Sequence, residues 1–343
     1  MNGNNYSVRE FSEDTPIKWD DMLSCYADYN IYQTFGWGEF KKGQGWNVLR
    51  LICYNGNIDI GLLQCLYRCY KLLRIYIVWI PGGPVFLKDK VPPNLDNLRY
   101  LLTAILNQFK NKGYYVRIYP MQDYDSNIIL RIREMGFQRP IQSINYNFTY
   151  HINTLLAENE ILDGLSSNWK HNLKRALREG LTFKHSDSLE DLSEFYKIYL
   201  QMSDRNKMNV HYSIRDLISI KNNLPPFGSL NLFLSMFDKT ILSGRIIGVI
   251  GKKAYDLLAA VTYEGRKRYS SHFLIWGIIN WCKERNIEYL DMSGVDPFWH
   301  KGIFNFKKGI GGNFIEHIGE WELSNNWFLR LMVNLCILKF LKD

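Results

Sequence analysis

The sequence predicts an α+β (mixed α/β) protein built as a tandem repeat of one unit. Three observations lead there. The order hairpin, strand, loop, helix, strand occurs twice, across residues 46–119 and again across residues 229–292. The 343 residues, 46% hydrophobic and 22% charged, are enough for about two domains with sizeable cores. Aromatic residues make up 15%, with 22 tyrosines, which favours strands and wide clefts over long helical bundles.

In the first repeat, Thr34 can cap a short helix that carries Trp37, Phe40 and Lys41. Two strand-like runs follow, Trp46 to Tyr54 and Ile58 to Tyr67, joined by Asn55-Gly56, a strong hairpin signal. The β-rich run Leu73 to Ile80 ends at Pro81-Gly82-Gly83-Pro84. Beyond it, Leu98, Leu101, Leu102, Ile105 and Phe109 have helical spacing, and Gly113 closes the helix before the strand Tyr114 to Tyr119.

In the second repeat, the hairpin Ser229 to Met236 and Ile241 to Ile250 leads into the strand Ala254 to Val261, which carries Tyr255. The loop Tyr263 to Ser271 precedes a helix from His272 to Arg285 and a strand from Ile287 to Met292. Aligned without gaps, Leu101, Ile105, Asn107 and Lys110 fall on Leu274, Ile278, Asn280 and Lys283. This order of elements is that of the GNAT acyltransferase fold, in which the loop after the central strand and the helix N-terminus behind it hold a cofactor pyrophosphate. The first such loop is uncharged. The second carries Arg266, Lys267 and Arg268, so an anion site is expected in the second half. The expected domains are residues 1–150 with 318–343, and residues 151–317.

Between the repeats, Lys170, Lys174, Arg175 and Arg178 make a basic helix face around an apolar stripe of Leu173, Ala176 and Leu177. A helix from about Leu189 to Met202 gives way to a polar loop containing Arg205, which suits phosphate recognition or an ordinary surface ion pair. Near the C-terminus, Gly302 to Gly312 alternates aromatic with small or polar residues and reads as a strand bearing Phe306, Lys307 and Lys308. Read locally, it is as well a solvated hairpin edge guarded by lysines. The tail, Trp327 to Leu341, is almost wholly apolar, broken by Arg330, Asn334 and Lys339; it packs into a groove of the protein or touches a membrane.

The net charge of +8 suits an anionic partner, yet no Lys/Arg run is long enough for a nucleic-acid arm. Residues 1–14 carry no apolar leader core, and no stretch reaches the roughly 18 apolar residues of a membrane span, so a cytoplasmic location is expected. Six scattered cysteines and seven histidines match no ligand spacing. Reduced thiols and no metal are expected.

Four stretches together resemble the FemABX family, the peptidoglycan interpeptide-bridge aminoacyltransferases, in its compact form without a helical-hairpin arm. They are Gln33-Thr34-x-x-Trp37 with Lys41, Asn172 to Gly180, Trp281 to Gly294 ending Tyr289-x-Asp291-x-x-Gly294, and Phe306-Lys307-Lys308-Gly309-Ile310-Gly311-Gly312. The resemblance spans most of the chain and implies tandem GNAT-like domains. It implies an aminoacyl-tRNA donor, with no tightly bound cofactor, and a muropeptide precursor (lipid II or UDP-MurNAc-peptide) whose side-chain amine is the acceptor. It further implies Lys307 beside Phe306 at the reaction centre, Lys41 on the acceptor diphosphate and Arg205 as a second phosphate contact; Trp37 and Tyr255 are expected as further substrate contacts, and the basic loop with Arg266, Lys267 and Arg268 is expected to bind the donor at the tRNA 3′ end. A monomer in peripheral contact with the inner face of the membrane is expected. Where some members carry an acidic residue before a proline, this chain has Tyr119-Pro120, which leaves the general base unassigned. The competing reading is an acyl-CoA-dependent N-acyltransferase acting on an amino sugar of a lipid- or nucleotide-linked glycan, since the Arg266–Arg268 loop suits a coenzyme A pyrophosphate equally.

Overall fold

The computed structural model describes residues 5–12, 16–89, 91–207, 210, 212–298 and 301–342. Part of the polar start, and Met208, Asn209 and His211 of the polar loop expected after Met202, lie outside the described residues. The chain forms two compact units, one of residues 1–147, 222–226 and 316–343, the other of residues 148–221 and 227–315.

The chain runs β1 (Tyr6–Glu10), α1 (Pro16–Ser24), α2 (Phe35–Gly43), β2 (Asn47–Asn55), β3 (Ile58–Tyr70), β4 (Ile75–Pro81), α3 (Leu95–Phe109), β5 (Gly113–Tyr119) and α4 (Ser126–Glu134). It continues with β6 (Phe148–Asn153), α5 (Glu158–Gly164), α6 (Ser167–Ala176), β7 (Thr182–Ser186), α7 (Leu189–Asn206), α8 (Ile214–Asn223), β8 (Gly228–Phe237), β9 (Thr240–Ile250) and β10 (Lys253–Val261). The last elements are α9 (Tyr263–Lys267), α10 (Ser270–Glu284), β11 (Tyr289–Asp291), α11 (Lys301–Gly309), β12 (Asn313–Glu316), β13 (Trp321–Ser324) and α12 (Trp327–Lys342).

The first sheet has the order β1-β2-β3-β4-β5-β13, and the second β12-β6-β11-β10-β9-β8-β7. In each sheet an antiparallel meander leads into a parallel pair, β4 with β5 and β10 with β11. Each parallel pair needs a crossover helix, and α3 and α10 supply it. The tandem α+β repeat expected from the sequence is therefore present. The sheets bury their apolar residues in separate cores, Leu63, Val78, Leu101, Ile105 and Val116 in the first, Ile247, Leu274, Ile278 and Leu290 in the second. At the turn Asn55-Gly56, Gly56 has φ 61°, the left-handed conformation such a hairpin requires.

Three elements differ from expectation. Residues 301–309 are helix α11, not a strand. Its alternating aromatics also satisfy a helical period, because Phe306 and Ile310 lie four apart and both reach the core of the second unit. Gly311 and Gly312, with φ near 83° and 87°, then end the helix. Second, α7 continues to Asn206, so Arg205 sits in its last turn rather than in a loop, and Lys207 at φ 50° closes it. Third, the basic loop contains α9, capped by Thr262, whose hydroxyl accepts from the Gly265 N–H at 2.9 Å.

Candidate active site

Two of the motifs meet in the second unit. Asp291, at the end of β11, is buried and accepts hydrogen bonds from the Thr149 hydroxyl and, at 2.7 Å, from the Ser293 N–H. That bond holds a turn in which Ser293 has φ 56°. The turn presents two carbonyls to α11: the Lys307 ammonium donates to Ser293 O at 3.2 Å and to Gly294 O at 3.0 Å. The aspartate of Tyr289-x-Asp291-x-x-Gly294 thus shapes the seat of the lysine in Phe306-Lys307-Lys308-Gly309. Lys307 turns inward and is half-buried. Lys308, one residue on and about 100° around the helix, is exposed.

Burial pushes the Lys307 amine down to about 8, with Asp256 and Asp291 pulling the other way and Arg245 adding to the fall. Arg245 on β9 and Asp256 on β10 are both buried and form an ion pair with each other. The Asp256 Oδ1 has no hydrogen-bond partner among the described residues. The Arg245 guanidinium lies 5.7 Å from the centre of the Phe306 ring. The other side of Phe306 is closed by Trp169 of α6 at 5.9 Å and by His272 of α10 at 5.1 Å. Burial depresses the His272 imidazole to about 4, with Arg245 contributing, so this ring is neutral at pH 7. Its Nε2 is 3.4 Å from the Asn172 amide.

Sequence reasoning missed Arg245, Asp256 and His272. The available signal was a lone charge inside each of two apolar strands, since such charges are rarely buried unless paired.

The basic residues ahead of α10 divide. Arg268 bonds Glu179 at 2.8 Å and Glu264 at 3.0 Å and covers the Phe237 ring, so it ties α9 to the end of α6. Lys267 lies 3.9 Å from Glu264 and over the Tyr263 ring. Arg266 is exposed and has no ion-pair partner among the described residues. Of the three cations expected to bind the donor, Arg268 and Lys267 thus have glutamate neighbours and Arg266 does not. Tyr255 is buried in β10 between Gly248 and Asp291 of the neighbouring strands. Arg205 is exposed.

In the first unit, the Thr34 hydroxyl accepts from the Trp37 N–H at 3.2 Å and starts α2. The Gln33 amide is structural: it donates to Pro81 O at 2.7 Å and accepts from the Gln64 N–H at 2.7 Å. Asn30 donates to Gly82 O at 2.8 Å. A Cβ on Gly82 would come within 2.1 Å of that asparagine, so the chain's own side chains fill the loop that corresponds to the basic one. Lys41 is half-buried, bonded to Gln44 at 2.8 Å, and lies among the rings of Phe40, Trp37 and Trp79 at 4.7, 5.5 and 5.8 Å. Trp37 itself is 2% exposed. Expected as a ligand contact, its ring packs edge-on against Tyr32 and Phe40 and lies beside the Lys41 ammonium.

A family model covers the stretch that carries Arg245, Asp256, His272 and Lys307. Residues 234–335 match the FemAB family. Over longer spans the chain is similar to the lipid II:glycine glycyltransferases of Staphylococcus saprophyticus and Staphylococcus aureus, each 20% identical across 90% of this chain and 91% of the relative. Among solved structures, FemX superposes with a TM-score of 0.81 at 19% identity, covering 95% of this chain and all of FemX. A tandem GNAT protein from the clavulanic acid biosynthesis pathway superposes at 0.56 and 9% identity, covering 94% of this chain and 99% of its own. The fold expected from the sequence is thereby borne out, as is the resemblance to the FemAB group.

Proposed function

We propose that this chain is an aminoacyltransferase that moves an amino acid from aminoacyl-tRNA to the side-chain amine of a peptidoglycan precursor, lipid II or UDP-MurNAc-peptide. The observation that carries the reading is the near full-length likeness to lipid II:glycine glycyltransferases on a tandem acyltransferase fold. The acceptor amine attacks the ester carbonyl, a C–N bond forms, and a tetrahedral oxyanion develops. Collapse breaks the ester C–O bond, and the departing tRNA hydroxyl takes up a proton as the new amide nitrogen loses one.

Lys307 would stabilise that oxyanion. Two backbone carbonyls fix its ammonium, so little reorganisation is needed as charge develops. The Arg245–Asp256 pair is nearly balanced in charge and holds the floor beneath Phe306. His272, neutral and unprotonated at working pH, closes the aromatic wall. Lys41 would meet the acceptor diphosphate, with Arg205 as a second phosphate contact and Tyr255 supporting the strand beside Asp291. Arg266 would meet the tRNA 3′ end. The chain would work in the cytoplasm, as a monomer.

A second reading, acyl transfer from acyl-CoA to an amino sugar, draws on Arg266, an exposed cation just ahead of the α10 N-terminus. Donor dependence separates the two. Purified protein, muropeptide precursor and charged tRNA should give a product heavier by one amino acid, and RNase should abolish it. Product formed from acyl-CoA and indifferent to RNase would overturn the proposal.

A further inference from the structure

Helix α12 is packed inside out. Its polar residues Arg330 and Asn334 face the first sheet, where both donate to the fully buried Glu322, at 2.6 and 2.9 Å; the Tyr115 hydroxyl donates to the same carboxylate at 2.6 Å. Leu329, Val333 and Ile337 complete the packed side against Tyr115, Ile75 and Ile77. The outward side therefore receives Trp327, Phe328, Leu331 and Leu335, which are 77%, 56%, 37% and 49% exposed. The helix has little amphipathicity, because apolar residues lie both on its packed side and on its outward side.

The apolar surface continues onto a second element. Leu72 and Leu73, in the turn between β3 and β4, are 102% and 69% exposed. The two elements are neighbours: Ile337 packs on Ile75, which follows this turn directly, and Asn325, just before α12, bonds Lys112 O and the Tyr114 N–H at the start of β5. The Gly113 N–H donates to Arg74 O at 3.1 Å, bringing the starts of β4 and β5 together. Around this edge Lys71, Arg74, Lys110, Lys112 and Lys339 are all exposed. No aspartate or glutamate occurs in residues 66–80, 101–122 or 324–342.

We propose that α12 and the turn at Leu72–Leu73 form a surface that lies on an anionic phospholipid bilayer, the apolar side chains entering the interface and the lysines and arginine meeting headgroups. An apolar helix face beside a one-signed ring of cations is the pattern of an interfacial helix, and Trp at its end suits the headgroup level. No helix of the described residues is long and apolar enough to cross a membrane, so the helix lies along the surface. A second copy of the chain fits this surface poorly, since a self-complementary interface would set the cations against one another with no acids to pair them. The proposal is independent of the transfer chemistry above: it says where the chain sits, not what it moves.

The test is co-sedimentation of the full chain with vesicles of phosphatidylglycerol mixed with phosphatidylcholine, and with phosphatidylcholine alone. Binding to the anionic vesicles, weakened by salt, is expected. Trp327→Glu with Leu335→Glu should abolish it, and Leu72→Glu, which leaves α12 untouched, should weaken it with an unchanged melting temperature. Lys71→Gln with Lys110→Gln should lower the partition coefficient about 25-fold, at roughly fivefold for each cation lost. Equal binding to neutral vesicles overturns the proposal, as does binding unaffected by Leu72→Glu. A dimer in solution that Trp327→Glu with Leu335→Glu converts to a monomer also overturns it.

Discussion

Replacing Lys307 with Met separates a role in chemistry from a role in folding. The fall of the Lys307 amine from 10.5 to about 8 means that holding it charged costs the folded state about 3 kcal/mol relative to the unfolded chain. Methionine, of similar length, removes that cost but leaves the Ser293 and Gly294 carbonyls without a donor, a loss of about 1–3 kcal/mol. The two nearly cancel, so Lys307→Met should melt within a few degrees of the native chain. Transfer should nevertheless fall by about 2.7–4 kcal/mol of barrier, roughly 10²–10³-fold, because among the described residues no other cation is fixed on that turn. The pH dependence has a definite sign. Between about pH 8 and 10.5 the unfolded chain holds the Lys307 proton that the folded chain has released, so native stability rises with pH there relative to Lys307→Met. Activity moves oppositely: the cation is lost above about pH 8, which sets the falling limb of the transfer rate. Lys307→Arg should carry its charge past that limb if it retains activity. Urea titrations across pH, with single-turnover transfer assays, measure both. A Lys307→Met protein that transfers at the native rate, or that unfolds several kcal/mol more easily, would refute the reasoning.

Two further predictions follow from the first unit. Lys41→Met should raise the KM for the diphosphate-bearing acceptor about tenfold or more with little change in kcat, since a charge-assisted contact is worth about 1.5–3 kcal/mol, and steady-state kinetics on full-length and diphosphate-free acceptors will read it. Glu322→Ala should destabilise the first unit by about 3–5 kcal/mol, because it strands the Tyr115 hydroxyl, the Asn334 amide and Arg330 together; urea unfolding gives the magnitude, and amide exchange should show α12 opening first.

The repeated unit was legible because its signals are local. Asn55-Gly56, the spacing of Leu98 to Phe109, and the apolar runs at β3 and β9 each report their own element. The Gln33-Thr34 pair was legible as a motif but not as scaffold, since its bonds reach Gln64 and Pro81, residues that sequence distance hides. Helix α11 misled for a definite reason. Phe304 and Phe306 alternate as a strand would, while Phe306 and Ile310 repeat as a helix does, and packing against the second core decides between them. The surroundings of Lys307 come from residues 245, 256, 272 and 291, on three strands and a helix, and only the fold assembles them. The charges ahead of α10 looked equivalent in sequence. Glu179, some ninety residues away, singles out Arg268 and leaves Arg266 available.

The path of the chain through its two sheets carries a consequence for biosynthesis. Strand β6 is the next strand after the first repeat yet pairs with β11 in the second sheet, and the matching place beside β5 is taken by β13, from the other end of the chain. The two repeats have exchanged their closing strands. During translation, β5 emerges with one edge bare and keeps it so until residues 321–324 leave the ribosome some two hundred residues later. An open edge is a template for wrong pairing, so the nascent first half is exposed to it until β13 arrives. A gene cut after residue 147 would express a fragment with that edge permanently unpaired, and cutting between the repeats would not yield two independent proteins.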